Sequence, residues 1–460
     1  MPDAYQQFIE TTALAPQSRG LADVPTLASH LFPFQRETVD FGLRAGSFGC
    51  FFDTGLGKTF VEMEWAATAA AATNGRALIL TPLAVARQIE REGVKFGYPI
   101  RVVRDASEVR EGINVANYDR LHLLEADAFG AVALDESSIL KNFTGATSRR
   151  IIDTFAGHRF RMSASATPAP NDHTELSQHS AFLGLMNRDE MLVRWFINDS
   201  GDTKAWRLKG HAVTPFFDWM SSWSRMAEHP RDLGDDIAGF DLPPLDIIRH
   251  QAEEPETPIS GGLFGGAVSA ANMHDVKRQT IDARARVVAD LVTAEPGEAW
   301  VIWCDTDYEA DAIAALLPEV AEVRGSHTID RKEATLAAFA DGTQRHILSK
   351  SSICGFGLNW QHCARMVFAG RSFSYEDWYQ AVRRCWRFGQ LRRVQVHLVV
   401  AEGEDTIGRV IDRKADDHTR MRSEMVAAMR RAIGRSAARR LTYQPLHAGR
   451  LPAWMERNAS

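Results

Sequence analysis

The sequence predicts an α/β protein built from two tandem parallel-sheet domains, with a helical insertion between them and a helical C-terminal tail. Short apolar runs alternate with helical patterns through residues 47–165, and the same alternation returns through residues 300–400. Such alternation indicates crossover connections and a mostly parallel sheet that is covered on both faces. The length of 460 residues also suffices for two or three domains with separate cores.

The first domain is expected to span residues 1–171. Six short apolar runs in it have the character of buried strands, namely 47–52, 77–80, 101–103, 113–116, 131–134 and 159–163. The stretch 59–72, rich in Ala, Glu and Met, is expected to form the helix after the first strand. Because functional loops of a parallel sheet lie at the carboxyl ends of its strands, the residues that follow these runs are candidates for a site.

Three further segments precede the tail. Residues 172–250 are rich in Trp, Phe, Met and His and are predicted to form a helical insertion without strands, and residues 251–274 form a Gly- and Pro-rich linker. Residues 275–407 are predicted to form the second α/β domain. Its expected strands are 300–304, 321–323, 346–349, 365–369 and 394–400, with helices that include 313–317 and 332–339.

Residues 408–460 are predicted to form a basic helical tail. They carry twelve Lys and Arg against five Asp and Glu, a net charge of +7, whereas residues 1–407 carry −13. This asymmetry fits either a tail that contacts phosphate groups or a solvated helical face. Met421, Met425 and Met429 recur at helical spacing, which is typical of a helix face packed on a core.

The remaining composition narrows the class of protein. No run of eighteen or more apolar residues is present, so the sequence predicts no membrane-spanning helix. The N-terminus lacks the basic-then-apolar order of a signal peptide. The five cysteines are scattered and never spaced as C-x-x-C, which argues against a zinc site or a disulfide framework and favours a reducing cytoplasm.

The segment 53–59, Asp-Thr-Gly-Leu-Gly-Lys-Thr, follows the first predicted strand and has the features of a phosphate-binding P-loop. Gly55 and Gly57 would form the tight turn whose backbone N–H groups point at phosphates, Lys58 would supply an ammonium group, and Thr59 a hydroxyl for Mg²⁺. A glycine-rich turn without a nucleotide is the alternative. The strand before the segment and the helix after it favour the P-loop.

Two adjacent carboxylates, Asp135 and Glu136, follow another predicted strand. Asp135 would hold the Mg²⁺ shell, and Glu136 would orient or deprotonate an attacking water. A solvated turn is the alternative for an isolated Asp-Glu pair. The small residues of 163–171 either relay a change at the γ-phosphate or form a Pro-rich loop, and Gln35 is a candidate for contact with an adenine edge.

Far downstream, the segment 380–390 reads Gln-Ala-Val-Arg-Arg-Cys-Trp-Arg-Phe-Gly-Gln. Arginines that arrive from a distant part of the chain complete a phosphate site only when two lobes close on each other, and they stabilise the charge of the transferred phosphoryl group. A P-loop together with such an arginine segment is typical of a motor, whereas a P-loop alone indicates only a nucleotide binder.

These motifs occur in the order that defines helicase superfamily 2, and they resemble its Swi/Snf-type branch of DNA translocases and remodellers, related to the DEAD/DEAH-box proteins. The resemblance covers roughly residues 28–408 and rests on the segments 31–35, 53–59, 135–138, 141–142, 165–171, 355–359 and 380–390. It implies two RecA-like lobes that bind ATP and Mg²⁺ between them. The small size suggests a bacterial or phage form.

The resemblance also implies roles for individual residues. The expected catalytic residues are Lys58, Asp135, Glu136, Gln380, Arg384 and Arg387. The last two would be the arginine fingers, and Gln380 would help to couple ATP to nucleic acid. The expected nucleotide-binding residues are Gln35, Thr54, Gly55, Leu56, Gly57, Lys58, Thr59 and Gly357. The expected Mg²⁺ ligands are Thr59 and Asp135.

Two departures from the family pattern concern the link between hydrolysis and movement. Ser138 replaces the histidine of the DEAH-type box, and Trp386 replaces the histidine of the last motif, whereas the metal, water and finger residues are present. Tracking along a phosphate backbone could use basic residues of the second domain, although a salt-bridged surface is an equal alternative for each of them. These residues are Arg371, Arg383, Arg392 and Arg393.

The expected function is an ATP-dependent translocase or helicase that moves on or remodels DNA, with duplex or branched DNA bound independently of sequence and RNA as the less favoured partner. One alternative is a strand-separating DNA or RNA helicase. Another is a nucleotide-gated binding module with little turnover, against which Glu136 and the arginine pair argue. The expected location is the cytoplasm of a bacterium or phage-infected host, with partner proteins of replication, repair or recombination.

Overall fold

Two parallel β-sheets organise the molecule. The computed structural model describes residues 18–141, 145–170, 172–198, 206–252, 277–354, 359–370, 372, 374–401 and 405–439. Within them, each sheet and the helices that cover it form one lobe. This arrangement confirms the predicted fold class of two tandem parallel-sheet domains.

The first lobe contains a seven-stranded sheet in the order β3-β4-β2-β5-β6-β1-β9, and every described strand pair in it is parallel. The strands are β1 (Ser47–Phe52), β2 (Arg76–Thr81), β3 (Ile100–Val102), β4 (Gly112–Asn117), β5 (Ala131–Leu134), β6 (Phe160–Ala164) and β9 (Ser224–Ala227). Two short strands, β7 (Phe196–Asn198) and β8 (Trp206–Leu208), form a separate antiparallel hairpin.

The helices of the first lobe lie on both faces of its sheet, since apolar clusters pack on either side of it. They are α1 (Pro33–Ala45), α2 (Lys58–Ala71), α3 (Leu83–Lys95), α4 (Ala146–Thr154), α5 (Leu176–Leu183), α6 (Arg188–Trp195) and α7 (Val213–Ser221). All six residues of β1 are buried. A strand that is buried on both faces is a continuous run of apolar residues, and for that reason β1 could be predicted from the sequence.

The second lobe contains a six-stranded parallel sheet in the order β10-β15-β14-β11-β13-β12. The strands are β10 (Leu245–Gln251), β11 (Trp300–Cys304), β12 (Ala321–Val323), β13 (His346–Lys350), β14 (Arg365–Phe368) and β15 (Val394–Val400). The helices are α8 (Ile281–Ala294), α9 (Asp307–Leu316), α10 (Ile329–Ala340), α11 (Ser351–Cys354) and α12 (Tyr375–Val382). Helix α12 begins at the N-cap Ser374, whose hydroxyl accepts the Asp377 N–H.

The predicted helical insertion at 172–250 is wrong in part, because the segment contains strands that complete both sheets. β9 pairs with the free edge of β1, and β10 pairs along its whole length with β15. The hairpin β7–β8 lies in the same segment. β9 is only four residues long, and β10 alternates half-buried and exposed side chains, so neither forms an apolar run. Their pairing partners, rather than their own composition, determine that they are strands.

The C-terminal segment forms one helix, α13 (Asp405–Arg439), which packs back on the first lobe against α7 and β9. Met421, Met425 and Met429 are buried in the first-lobe cores, so the predicted core role of this stripe is confirmed. The described part of the predicted tail is therefore a packed element whose exposed side chains include both arginines and aspartates. Residues 440–460 lie outside the described residues, as does most of the predicted linker.

None of the helices in the described part of the chain has the length and apolar character needed to cross a bilayer.

Candidate active site

The P-loop turn follows β1 directly and leads into α2. Gly55 and Gly57 have φ angles of 97° and 76°, a left-handed backbone that side chains with a Cβ rarely adopt. Gly57 immediately precedes the first residue of α2, so the turn presents its backbone at a helix N-terminus. Lys58 lies in the first turn of that helix and its Nζ donates to the carbonyl of Phe52 at 2.9 Å. Thr59 is half-buried beside it.

Gln35 supports the P-loop from α1. Its Nε2 donates to the Leu56 carbonyl at 2.8 Å, while its Oε1 accepts the Phe32 N–H at 3.0 Å. A Cβ on Gly57 would lie 2.4 Å from that Nε2, so the glycine is required for the close approach. The amide therefore braces the turn, and its remaining donor and acceptor capacity is what it could offer to an adenine edge.

Asp135 and Glu136 follow β5 and are buried at the same sheet edge. The Thr81 hydroxyl, at the end of β2, donates to Asp135 Oδ2 at 2.7 Å. Burial raises the pKa of both carboxyls, and Asp135 raises that of Glu136 further although Lys58 opposes it, to about 7. Glu136 is the one non-glycine residue with a positive φ, 49°, among the described residues, a strained backbone of the kind that concentrates at functional sites.

Glu62, in the second turn of α2, is a third carboxyl at this edge that the sequence analysis missed. The side chain is 0% exposed, and neither carboxylate oxygen has a hydrogen-bond partner among the described residues. Burial and the neighbouring Asp135 raise its pKa well above the ordinary value. Three buried carboxyls thus lie near one lysine, an excess of potential negative charge that a cation would compensate.

The arginine segment of the second lobe lies on α12 and the turn after it, and it faces this edge. Arg384 is 1% exposed, and its guanidinium donates to the backbone carbonyl and to Oε1 of Gln380 at 3.1 and 2.8 Å. Its charge lowers the pKa values of both Asp135 and Glu136 against the effect of their burial. Burial and the like charges of Arg384 and Arg383 lower the pKa of Arg387. An anion bound there would relieve this repulsion.

Direct contacts hold the two lobes together at the P-loop. Arg383 Nη2 donates to the Thr54 carbonyl at 2.8 Å. A Cβ on Gly55 would lie 2.9 Å from the backbone nitrogen of Phe388, so the turn and the arginine segment touch backbone to backbone. A second interlobe link joins Lys141 to Glu376. The lobes are therefore in a closed arrangement.

Asp53, the first residue of the P-loop segment, is the centre of a buried ionic cluster that spans the lobes. It accepts from the Tyr379 hydroxyl and from Arg383, and Arg422 of α13 lies 3.3 Å from its Oδ1. Burial alone would raise its pKa, but the charges of Arg383 and Arg422 and the hydrogen bond from Tyr379 hold it well below the usual value. Asp53 is consequently ionised and fully compensated.

A buried polar chain connects the carboxylate box with the loop after β6. Ser163 Oγ lies 2.9 Å from Ser137 Oγ and 2.6 Å from Nδ1 of His179, whose Nε2 lies 2.8 Å from the Pro168 carbonyl. A carbonyl only accepts, so Nε2 carries the proton and Nδ1 accepts from Ser163. Burial lowers the pKa of His179 to about 4, so the ring is neutral at pH 7.

This histidine bears on the first departure from the family pattern. Ser138, in the histidine's place, is buried at 4% exposure, while His179 comes from α5 and contacts the adjacent Ser137 through Ser163. At the second departure, the Trp386 indole donates to the Pro243 carbonyl at 2.7 Å and the Arg383 guanidinium lies over its ring at 5.0 Å. Trp386 is therefore accommodated by specific contacts, whereas Ser138 is accommodated by burial.

The basic residues suggested for backbone tracking are engaged in ion pairs. Arg392 pairs with Glu298 and Arg393 with Asp246, while Arg383 is buried against Asp53. For the two exposed residues, Arg392 and Arg393, the structure therefore agrees with the alternative that they belong to a salt-bridged surface. Arg371 lies outside the described residues.

The structure brings together nearly all of the site residues named from the sequence. Those at one interlobe site are Gln35, Thr54, Gly55, Leu56, Gly57, Lys58, Thr59, Asp135, Glu136, Gln380, Arg384 and Arg387. Gly357 lies outside the described residues. The residues missed were Glu62, His179, Tyr379 and Arg422. No local sequence pattern marks these residues, because each of them contacts a partner that lies more than fifteen positions away in the sequence or on another element.

A family model and a solved structure are similar to parts of this chain. Residues 283–389 match the model of the helicase conserved C-terminal domain. A solved structure, the Sulfolobus solfataricus SWI2/SNF2 ATPase core in complex with dsDNA, is 16% identical; the match covers 89% of this chain and 96% of that chain at a TM-score of 0.41. No curated protein matches the chain significantly.

The matched residues run from α8 to the arginine segment, and so include the part of the second lobe that faces the P-loop. Residues 283–389 are therefore similar to the helicase conserved C-terminal domain, which agrees, for this part of the second lobe, with the resemblance found in the motifs.

Proposed function

We propose that this chain is an ATP-driven translocase that moves on or remodels DNA, with duplex DNA as the substrate. The observation that carries the proposal is the direct contact between the P-loop of the first lobe and the arginine segment of the second. A site made from both lobes links nucleotide chemistry to the distance between them. A binding module would not require buried arginines facing a strained carboxylate.

The hydrolytic step follows from the placement of the side chains. Backbone N–H groups of the glycine turn and the Lys58 ammonium bind the phosphates of ATP. Glu136, whose raised pKa makes it a stronger base than an ordinary carboxylate, orients the attacking water and takes its proton. Arg384 and Arg387 stabilise the charge that develops on the γ-phosphoryl group, an effect worth about 10³-fold or more in related enzymes.

The residues also fit a magnesium ion. No group of three or more His, Cys, Asp or Glu side chains in the described residues is arranged to hold a metal alone, so Mg²⁺ would be shared between the protein and the phosphates of ATP, as this ion usually is. Thr59 and Asp135 would be its protein ligands. When bound, the ion neutralises phosphate charge and compensates the excess of buried carboxyls.

Movement follows from opening and closing of the lobes. Hydrolysis followed by release of inorganic phosphate removes the anion that Arg384 and Arg387 attract, so the closed arrangement loses stabilisation after each turnover. Each lobe then changes its position relative to a bound phosphate backbone. Contacts of this kind do not read sequence and weaken with salt. The affinity for DNA is therefore expected to fall steeply as the salt concentration rises.

The test is the rate of ATP hydrolysis by the full chain with duplex DNA, forked DNA, single-stranded DNA and RNA. Duplex DNA is expected to stimulate the rate most. Lys58→Ala should abolish the stimulated rate, and Lys209→Ala, a lysine remote from the P-loop that donates to the Val193 carbonyl, is the matched control. Displacement of a third strand from a DNA triplex, without unwinding of the duplex, would identify translocation.

Two outcomes would favour the other functions. Unwinding of a forked duplex, or stimulation by RNA above that by DNA, would indicate a strand-separating helicase. DNA binding that responds to ATP without hydrolysis, unchanged by Glu136→Gln, would indicate a nucleotide-gated binding module.

A further inference from the structure

The C-terminal helix α13 delivers one arginine to the interior of the first lobe. Its buried methionines fix the helix on α7 and β9, and the side chain of Arg422 between them is only 8% exposed. A buried guanidinium requires partners for its N–H groups and compensation for its charge. The contacts of Arg422 therefore indicate what the helix is attached to.

Arg422 contacts three separate parts of the first lobe. Nη1 lies 2.8 Å from the carboxylate of Glu228, and Nη2 donates to the Ala166 carbonyl at 3.2 Å and lies 3.3 Å from Asp53 Oδ1. Asp53 begins the P-loop segment and Ala166 belongs to the loop after β6. The side chain of Arg422 thus connects the P-loop segment with the loop after β6.

The same guanidinium reaches the second lobe. It lies 5.3 Å from the centre of the Tyr379 ring, within the range of a cation–π contact, and the Tyr379 hydroxyl donates to Asp53. Arg383 approaches the other oxygen of the Asp53 carboxylate. Both oxygens of the carboxylate are therefore bound from the second lobe, and Oδ1 is also approached by Arg422 of α13.

The orientation of Asp53 matters because its carboxylate shapes the P-loop. Oδ1 accepts the N–H of Thr54 at 2.6 Å, and the Asp53 carbonyl accepts the N–H of Leu56 at 3.2 Å. These bonds close the first turn of the loop that ends in Lys58. A change in the hold on Asp53 would be transmitted to the backbone N–H groups that bind phosphates.

We propose that Arg422 is a positioning residue of the nucleotide site, which acts through Asp53 to hold the P-loop in its phosphate-binding shape when the lobes are closed. This inference rests on the proposed function, ATP hydrolysis between the lobes. The C-terminal helix is then part of the ATPase, and its docking on the first lobe sets the affinity for the nucleotide.

The same helix supplies a matched control. Arg430 lies two turns further along α13, pairs with Asp232 at 3.4 Å and is 62% exposed, so it shares the helix and the charge but not the site. Arg422→Ala and Arg430→Ala would both remove one positive charge from α13. Arg422→Lys keeps the charge but loses the planar group that serves three acceptors at once.

The experiment measures KM for ATP, kcat and equilibrium binding of a fluorescent ATP analogue for the full-length wild type and these variants, together with hydrogen exchange of the amides of residues 54–58. Arg422→Ala is expected to raise KM and the dissociation constant on the order of tenfold, with a smaller change in kcat, as for residues that interact directly. Arg422→Lys should recover part of the affinity, and exchange of the P-loop amides should accelerate. Arg430→Ala should match the wild type.

Asp53→Asn provides the decisive comparison. If Arg422 acts through Asp53, the double variant Arg422→Ala/Asp53→Asn should bind ATP no more weakly than the weaker single variant. Additive losses of ATP affinity in the double variant would overturn the proposal. Wild-type affinity and wild-type exchange of the P-loop amides in a folded Arg422→Ala or Arg422→Lys would overturn it as well. If Arg422→Ala does not fold, the same measurements of affinity and amide exchange on Arg422→Lys decide the outcome. A wild type that binds but does not hydrolyse ATP would refute the proposed function alone, because binding and exchange still test Arg422.

Discussion

Asp53 and Glu136 are two buried carboxyls at the same edge of the first sheet, and their surroundings are opposite. Asp53 accepts from Tyr379 and Arg383 and lies beside Arg422, so it is surrounded by donors from three parts of the chain. Glu136 follows Asp135 on a strained backbone, and its Oε2 has no hydrogen-bond partner among the described residues.

The difference appears in their protonation. The pKa of Asp53 is held well below the usual value, whereas burial and Asp135 raise that of Glu136 to about 7. A carboxylate that is always ionised and fully paired serves as a fixed joint. One that gains and loses a proton near neutral pH is suited to proton transfer. The comparison therefore separates the residue that holds the lobes from the residue to which we assign the proton transfer.

Removal of the Glu136 carboxylate tests the chemical half of the comparison and should have the largest effect. Glu136→Gln is expected to lower kcat about 10²–10⁴-fold, since it removes the base without changing the shape of the side chain, while ATP binding remains. The measurement is phosphate release at saturating ATP and DNA. Glu111→Gln, an exposed carboxyl on the same lobe, should leave the rate unchanged. A rate near that of the wild type in Glu136→Gln would assign the base to another group.

Asp53→Asn tests the structural half. The substitution leaves Arg383 and Arg422 buried without their shared counter-ion, so the free energy of unfolding is expected to fall by roughly 3–5 kcal/mol. Urea denaturation followed by tryptophan fluorescence measures it. Asp40→Asn, which breaks the exposed pair with Arg44, is the control and should cost less than about 1 kcal/mol. Equal losses in the two variants would show that the cluster around Asp53 does not join the lobes.

His179 extends the comparison to pH. Its folded pKa is lowered from 6.5 to about 4, so the unfolded chain binds the proton more readily between these values. The stabilising contribution is therefore present above pH 6.5 and is lost as the pH falls towards 4, by about 3 kcal/mol.

Denaturation of His179→Gln across this range is the measurement. Because glutamine does not titrate, the variant should lose less stability than the wild type between pH 6.5 and 4, while the exposed His211→Gln should follow the wild type. A wild-type slope in His179→Gln would mean that the ring is not held neutral in the folded protein.

The smallest effect is expected from an exposed arginine of the second lobe. Arg393 pairs with Asp246 and its side chain is 58% exposed, so Arg393→Ala should change the free energy of unfolding by less than about 1 kcal/mol and leave ATP hydrolysis unaltered. Stability and steady-state hydrolysis are both measured. A large fall in DNA-stimulated hydrolysis would instead show that this surface contacts the nucleic acid.

Much of this molecule could be predicted from local sequence. The buried strands β1, β5, β11 and β15 have apolar runs that locate them to within a residue of their observed bounds. The P-loop glycines and the carboxylates at 135–136 were found because each follows such a run. The edge strands β9 and β10 were missed, since a strand at an edge needs no continuous apolar character and is defined by the neighbour with which it pairs.

The sequence analysis also missed the residues whose side chains join distant segments of the chain. Nothing near Tyr379 or His179 in the sequence shows that one hydroxyl reaches Asp53 and one imidazole reaches Ser163. The charge of the C-terminal segment suggested a phosphate-binding tail or a solvated face, yet Arg422 lies inside the first lobe. Burial of a charged side chain depends on partners supplied by other elements, so composition does not reveal it.

The sequence alone determined the order of motifs, the two parallel sheets and most of the groups at the candidate nucleotide site, because those features depend on apolar periodicity and on short-range turn chemistry. Only the tertiary structure decided which charges are compensated: that Asp53 is paired three ways, that Glu136 is left with a raised pKa, and that α13 reaches the P-loop. The physical reason is that the free energy of a buried charge is set by the groups around it, and here those groups come from positions hundreds of residues apart.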